Sequence, residues 1–230
     1  MNREGFTERH RLLGRISCWG ALIIGLAYTV FQVLHKLYDP TTVQASFADP
    51  YLPIASILLV PIAALMIASM VAVHAYASRV DRPFSLLSLA FMTLGMGSTT
   101  LLNFGLYIVV THQAEMAGAP WLSLFIPIKR PGLYGELDLL NWSWFFGLSM
   151  IAAAPVFREG ALERAIRALM YATGILPIVG WIIMVFVPSA YWPGWILQAL
   201  GWGVLILVVW FLMARLFDRP LEPPEPREEE

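Results

Sequence analysis

The chain is dominated by long stretches that lack charged side chains. Five runs contain no Asp, Glu, Lys or Arg: 16–35, 50–78, 83–114, 139–157 and 168–214. A charge-free apolar run of about 18 residues or more is typical of a helix that crosses a lipid bilayer. Only 13% of the 230 residues are charged, about half the share found in an average soluble domain. The sequence therefore predicts a polytopic membrane protein, with the lipid bilayer as its surroundings.

The number of helices follows from the longest run. The stretch 168–214 has 47 residues, more than twice the roughly 20 residues that one span needs. A turn-like cluster with interfacial aromatic residues, Pro188-Ser-Ala-Tyr-Trp-Pro193, divides this stretch in two. We therefore predict an all-α integral membrane bundle of six transmembrane helices. The predicted spans are 16–36, 51–74, 86–110, 138–157, 167–187 and 194–216.

The basic residues give an orientation to this bundle. With six helices both termini lie on one side, and twelve of the 15 Lys and Arg residues fall on that side. Only Lys36, Lys129 and Arg130 fall on the other side. Because cytoplasmic loops collect Lys and Arg, we predict a multi-pass protein of the cytoplasmic (inner) membrane with both termini inside.

The chain contains one predicted membrane domain and one predicted tail. Residues 1–217 form the six-helix domain, and the Pro- and Glu-rich segment 218–230 is expected to be disordered in the cytoplasm because it lacks apolar side chains to bury. The longest loop contains an apolar segment, 119–128, that is too short to span a bilayer. Interfacial and re-entrant arrangements both remain open for this segment.

Small residues four positions apart predict close helix packing. The pattern lets helix backbones approach each other where lipid provides no hydrophobic driving force. It occurs at Ala64, Ala68 and Ala72, at Ala21 and Gly25, at Ala168 and Ala172, and at Ala199 and Gly203.

Polar side chains inside the predicted spans gather in the extracytoplasmic halves of helices one, three, four and six. Within each helix they share a face at spacings of three or four residues. Polar groups in hydrocarbon are costly unless they meet each other or a water-filled cavity. The residues predicted to line a shared, outward-facing pocket are Tyr28, Gln32, Asn103, Tyr107, Asp138, Asn141, Trp142 and Gln198. Such a pocket suggests that the protein binds, or helps to move, a small amphipathic or hydrophobic ligand.

The same polar residues allow a second interpretation. Asn, Gln and Thr also join membrane helices by hydrogen bonds, each worth around 0.6 kcal/mol on average. In that case the chain would be a non-catalytic structural subunit of a larger complex, and its partners would be other membrane proteins.

A haem or divalent-metal site is a third hypothesis. The sequence has four His residues, of which His35 and His112 fall at the outer ends of helices one and three. Glu115 follows His112 by three positions and could complete a set of two imidazoles and one carboxylate. However, the sequence has no His-x-x-x-His or Glu-x-x-His motif, so we predict no resident cofactor.

Known catalytic patterns are missing from the sequence. Gly95-Met-Gly-Ser98 resembles a serine elbow, but no His lies on the last three helices to act as its base. No phosphate-binding Gly loop is present either. We therefore assign no enzymatic activity, and nothing in the sequence indicates a nucleic-acid partner.

The order of features resembles small uncharacterised prokaryotic membrane proteins with an Arg-rich start and six or seven helices. The residues that carry the resemblance are Arg11-Leu-Leu-Gly-Arg15, Val73-His-Ala-Tyr76, Trp142-Ser-Trp-Phe-Phe146 and Ala153-Ala-Pro-Val-Phe157. Such proteins imply a fold of six or seven membrane helices but no activity. Six helices with both ends inside are also similar in architecture to the substrate-binding subunits of vitamin-uptake transporters, and this likeness implies a fold rather than a ligand.

Overall fold

The computed structural model describes residues 5–38, 49–111 and 133–220 and contains six long helices. Four of them are α1 (Glu8–Tyr38), α2 (Tyr51–Tyr76), α3 (Arg82–Thr111) and α5 (Gly160–Phe186). Helix α4 runs through Leu133–Leu140, a π-helical stretch Asn141–Phe145, and Phe146–Ala153. Helix α6 runs through Tyr191–Gln198, a π-helical stretch Ala199–Leu205, and Ile206–Phe217. Short 3₁₀ turns at Ala154–Val156 and Pro188–Ala190 flank α5.

The prediction of an all-α fold with six helices is confirmed. The described residues contain no β-strand, and all six helices are long and apolar enough to cross a membrane. Their outer faces are apolar too: Ile23, Leu101 and Phe186 are 64%, 77% and 74% exposed. The segment 119–128 and the tail from residue 221 onward lie outside the described residues.

The helices pack in the order of the chain. Each helix contacts the next one, and α6 returns to pack against α1, so that the bundle closes on itself. Helix α4 is the most buried of the six, with 61% of its most apolar 18-residue window inside the protein.

Glycine pairs bring α5 into backbone contact with both of its neighbours. A Cβ atom added to Gly174 would lie 2.5 Å from the carbonyl oxygen of Gly147 on α4, and one added to Gly147 would lie 2.7 Å from that of Gly174. Gly180 of α5 and Gly194 of α6 face each other in the same reciprocal way. Only glycine allows backbones to approach this closely.

One end of the bundle is sealed by aromatic side chains, and we call it the closed end. The rings of Phe6, Phe157 and Phe217 all contact Tyr76, with ring centroids 5.2 to 6.1 Å apart. The Tyr76 hydroxyl donates a hydrogen bond of 2.5 Å to Glu163 on α5. Because Phe6 also stacks on Phe217, the first and last described helices meet here. Both ends of the described chain thus lie at the closed end.

Candidate functional site

A cavity of about 610 Å³ opens at the end of the bundle opposite the closed end. It lies between α1, α2, α4 and α6, and we call this end the cavity end. Its volume falls within the roughly 300–1,000 Å³ typical of small-molecule sites. Six aromatic residues line it: Tyr28, Trp142, Tyr191, Trp195, Trp202 and Trp210. Aliphatic side chains of α2 and α6 complete the wall, including Leu59, Ile62 and Leu207.

A carboxylate on α4 faces this cavity. Asp138 lines the wall, and its Oδ1 atom lies 3.4 Å from Thr99 Oγ1 and 3.4 Å from Asn103 Nδ2, both on α3. Trp142, one turn along α4, lines the cavity beside Asp138. The Asn103 amide also donates to the Thr99 carbonyl oxygen at 2.9 Å. Helix α3 thus holds the carboxylate from behind, while its other side is turned to the cavity.

Helix α1 contributes a second polar group to the cavity wall. Tyr28 and Gln32 lie one turn apart on the same face, and Gln32 Nε2 donates a hydrogen bond of 2.7 Å to the Tyr28 hydroxyl oxygen. This bond gives the Gln32 amide a hydrogen-bond partner within the part of α1 that is apolar enough to cross a membrane. The wall therefore carries the carboxylates of Glu136 and Asp138 and a hydroxyl–amide pair among mainly aromatic and aliphatic side chains.

Both π-helical stretches lie at the cavity. Such stretches make i→i+5 hydrogen bonds and occur often at functional sites. Trp142 stands on the stretch in α4 and Trp202 on the one in α6, with ring centroids 5.9 Å apart and planes inclined by 39°. Elsewhere in the α6 stretch, Gly201 packs directly against the ring of Pro177 on α5. A Cβ atom at Gly201 would lie only 2.5 Å from Pro177 Cγ, so a larger residue would clash with this ring.

One of these indole groups has an unused donor. Trp202 Nε1 is buried and has no hydrogen-bond partner among the described residues. Buried indole N–H groups usually find a partner. Trp202 lines the cavity with other parts of its side chain, since the Nε1 atom itself is buried.

The structure brings only some of the predicted pocket residues together. Tyr28, Gln32, Asp138 and Trp142 line the cavity, whereas Asn103 lies behind Asp138 and does not line it. Two other predicted residues turn away from the cavity, and the side chain of a third, Tyr107, lies outside what the structure describes.

Gln198 and Asn141 are the two that turn away. Gln198 is fully buried, accepts a hydrogen bond from Ser143 at 3.1 Å, and contacts the Met184 sulfur at 2.8 Å. Asn141 is 3% exposed, and its Nδ2 atom has no partner among the described residues. Gln198 therefore joins α4, α5 and α6 rather than lining the cavity.

The residues considered for a metal site are only partly described. His35 lies at the rim of the cavity, where its Nδ1 atom contacts the carboxylate of Asp49. Asp49 also accepts a hydrogen bond of 2.8 Å from the Tyr51 backbone N–H, so this pair joins the end of α1 to the start of α2. His112 and Glu115 lie outside the described residues. Within the parts of the chain that the structure describes, no three His, Cys, Asp or Glu residues are grouped as metal ligands would be.

Sequence reasoning did not assign most of the aromatic wall. Trp195, Ala199, Trp202, Ile206 and Trp210 all line the cavity and lie on one face of α6 at spacings of three and four. This periodicity was the available signal, although the same pattern is also common where a helix simply packs against its neighbours.

No protein-family model, no curated protein and no solved structure matches this chain, so its site is interpreted from its own residues.

Proposed function

We propose that this chain is a multi-pass protein of the cytoplasmic membrane that binds, or helps to move, a small amphipathic or hydrophobic ligand. The cavity of about 610 Å³ carries this proposal. Ligand sites are typically concave and mainly apolar, with a few polar groups that fix the orientation of the ligand. Asp138 and the Tyr28–Gln32 pair are such groups on an otherwise aromatic and aliphatic wall.

The charge distribution supports an orientation with the cavity outside. The loops and helix ends at the closed end carry most of the Arg residues, including Arg79, Arg82, Arg158, Arg164 and Arg215. Since Lys and Arg concentrate on the cytoplasmic side, the closed end and both termini belong in the cytoplasm. The cavity then opens toward the extracytoplasmic side.

The packing favours a binding or carrier role over an open pore. Between the cavity and the closed end, the bundle is filled by Met66, Met70, Met92, Met96 and Met150, each at most 1% exposed. A ligand could leave through the closed end only if these side chains moved. Methionine side chains repack more readily than branched ones, so alternate packing of this layer is the step that transport would require.

A cavity-filling substitution tests the ligand proposal. Gly203 lines the cavity, and no atom lies within 4 Å of a Cβ atom added there, so Gly203→Phe would project into the cavity without a backbone clash. Gly97→Phe is the matched control, because it also replaces a helical glycine with open space around it and lies away from the cavity. We expect wild-type protein and the control to retain a small molecule in native mass spectrometry from mild detergent, and Gly203→Phe to lose it.

The same experiment separates this function from the structural-subunit alternative. Equal retention by both variants would show that the small molecule sits elsewhere and would reject this cavity as the site. Stoichiometric co-purification of other membrane proteins, with no small molecule in any of the three samples, would favour a subunit of a larger complex.

The orientation has its own test. After replacement of Cys18, single cysteines at Ala45 and Met116 are expected to react with impermeant thiol reagents in whole cells, whereas a cysteine at Ala161 is not. The reverse labelling pattern would place the cavity on the cytoplasmic side.

A further inference from the structure

Among the described residues that line the cavity, the Asp and Glu side chains face no Lys or Arg. Two lining residues, Glu136 and Asp138, are acidic, and no Lys or Arg lines the cavity among the described residues. The lining His35 is held by Asp49 and is therefore not a counter-charge for Asp138. A cleft lined by one sign of charge with low-dielectric walls concentrates ligands of the opposite sign. The electrostatic character of the wall thus favours cations.

Asp138 is partly buried, and it differs from the buried acidic side chains in the kind of partner that it has. Asp81 forms an ion pair with Arg158, and Asp49 is paired with the imidazole of His35. Glu163 accepts hydrogen bonds from the Tyr76 hydroxyl and from two backbone N–H groups. The described donors to Asp138 are the neutral Thr99 and Asn103 side chains, and no described basic side chain lies within ion-pair distance. A carboxylate in an apolar setting is stabilised by a cation.

The aromatic wall favours the same kind of ligand. Trp is the best cation–π partner, and aromatic cages are the usual means by which proteins recognise quaternary ammonium groups. Trp142, Trp202 and Tyr28 are among the residues that line the cavity together with Asp138, and the two indole rings are 5.9 Å apart. The negative faces of aromatic rings disfavour an anion in the same place.

Together these features identify a ligand class. We propose that the cavity takes an amphipathic organic cation, with its ammonium group near Asp138 and the indoles of Trp142 and Trp202, and its apolar body along Leu59 and Ile62 of α2. This inference rests on the proposed ligand-binding function and adds the charge of the ligand to it. The cavity volume leaves room for both parts of such a molecule.

A pair of probes that differ only in charge tests the inference. 4-Phenylbutyl-trimethylammonium and its uncharged carbon isostere, in which a tert-butyl group replaces the trimethylammonium group, have nearly the same shape. Binding of each to the full-length protein in lipid nanodiscs would be measured by isothermal titration calorimetry. We expect the cation to bind about tenfold more tightly than the isostere, as cation–π contacts and a partly desolvated carboxylate would give.

Two substitutions test whether the preference for the cation depends on Asp138. Asp138→Asn keeps the size and the polar contacts of the side chain but removes its charge, so the cation-to-isostere ratio should fall to about one to two while the isostere still binds. Glu136→Gln is the matched control: it removes one negative charge from an exposed position on the same wall, and the ratio should fall by less than about threefold.

The possible results distinguish a failure of the cation proposal from a failure of the ligand-binding proposal. If both probes bind wild-type protein equally and Gly203→Phe blocks both, the cavity binds ligands but the cation proposal is overturned. If neither probe binds wild-type protein, and native mass spectrometry detects no Gly203-sensitive molecule, both proposals are overturned. A ratio that survives Asp138→Asn would also overturn the role given to this carboxylate.

Discussion

The two ends of the bundle each hold an acidic side chain among the packed helices, and they hold it differently. At the closed end, Glu163 is 4% exposed, and it accepts hydrogen bonds of 2.5, 2.7 and 2.9 Å from Tyr76 and the backbone N–H groups of Arg158 and Glu159. At the cavity end, Asp138 receives two hydrogen bonds of 3.4 Å, both on the same oxygen. Glu163 is enclosed by aromatic rings, whereas Asp138 faces a cavity.

This difference separates a structural carboxylate from a candidate ligand group. Glu163 accepts from the backbone just before and at the start of α5, as an acidic side chain in a first helical turn often does. Its short bonds join α2 to α5, so the fold depends on it. Asp138 has longer bonds to neutral donors, and the space next to it is large enough for a ligand. We therefore expect the fold to depend less on Asp138 than on Glu163.

The largest effect is expected at the closed end. Glu163→Ala would leave the Tyr76 hydroxyl and two backbone N–H groups without their carboxylate partner in a buried place, at a cost of about 4 kcal/mol in the free energy of unfolding. Equilibrium unfolding in mixed SDS and mild-detergent micelles would measure it. Glu159→Ala, four residues earlier and exposed, is the control and should change stability by less than about 0.5 kcal/mol. A loss below 1 kcal/mol for Glu163→Ala would contradict the structural role that we assign to this carboxylate.

An intermediate effect is expected behind the cavity. Asn103→Leu would remove the bond to Asp138, and it should lower the free energy of unfolding by about 1 kcal/mol. Because Asn103 positions the carboxylate without lining the cavity, the cation-to-isostere ratio should fall less than in Asp138→Asn. Thr100→Val is the control, since Thr100 bonds only to Met96 within its own helix. If the cation-to-isostere binding ratio is unchanged in Asn103→Leu, Asn103 serves only to join helices and does not position the carboxylate.

Much of the architecture could be predicted because lipid leaves few solutions for a chain. Backbone polar groups in a bilayer must be satisfied internally, so charge-free runs of sufficient length become helices. The run 168–214 with its Pro188–Pro193 cluster therefore predicted α5 and α6 correctly. The gathering of polar residues at one end of four helices likewise pointed to Tyr28 and Asp138.

The details that shape the site were harder to predict, because they depend on how helices meet. The small-residue pattern was wrong for Ala64 and Ala168, which are exposed, while the closest backbone contacts involve Gly147 and Gly174. A spacing of four identifies a helix face but not which face meets a neighbour. The π-helical stretch Asn141–Phe145 is also invisible in the sequence, and its altered turn changes which side chains point into the cavity.

The smallest change in stability is expected for Asp138→Leu, and it tests the comparison most directly. The substitution removes two long hydrogen bonds, but Asn103 keeps its bond to the Thr99 carbonyl oxygen. It also removes a carboxylate from a mainly apolar wall and adds an apolar side chain in its place, which is often neutral or stabilising.

We therefore expect the free energy of unfolding of Asp138→Leu to lie within about 0.5 kcal/mol of wild type. In the same assay, Glu163→Leu is expected to lose about 4 kcal/mol. Wild type and both variants must first be stripped of bound small molecules, because a ligand held only by wild type would raise its apparent stability by mass action. Equal losses for the two substitutions would mean that Asp138 is as structural as Glu163, and the cavity would then lose its candidate ligand group.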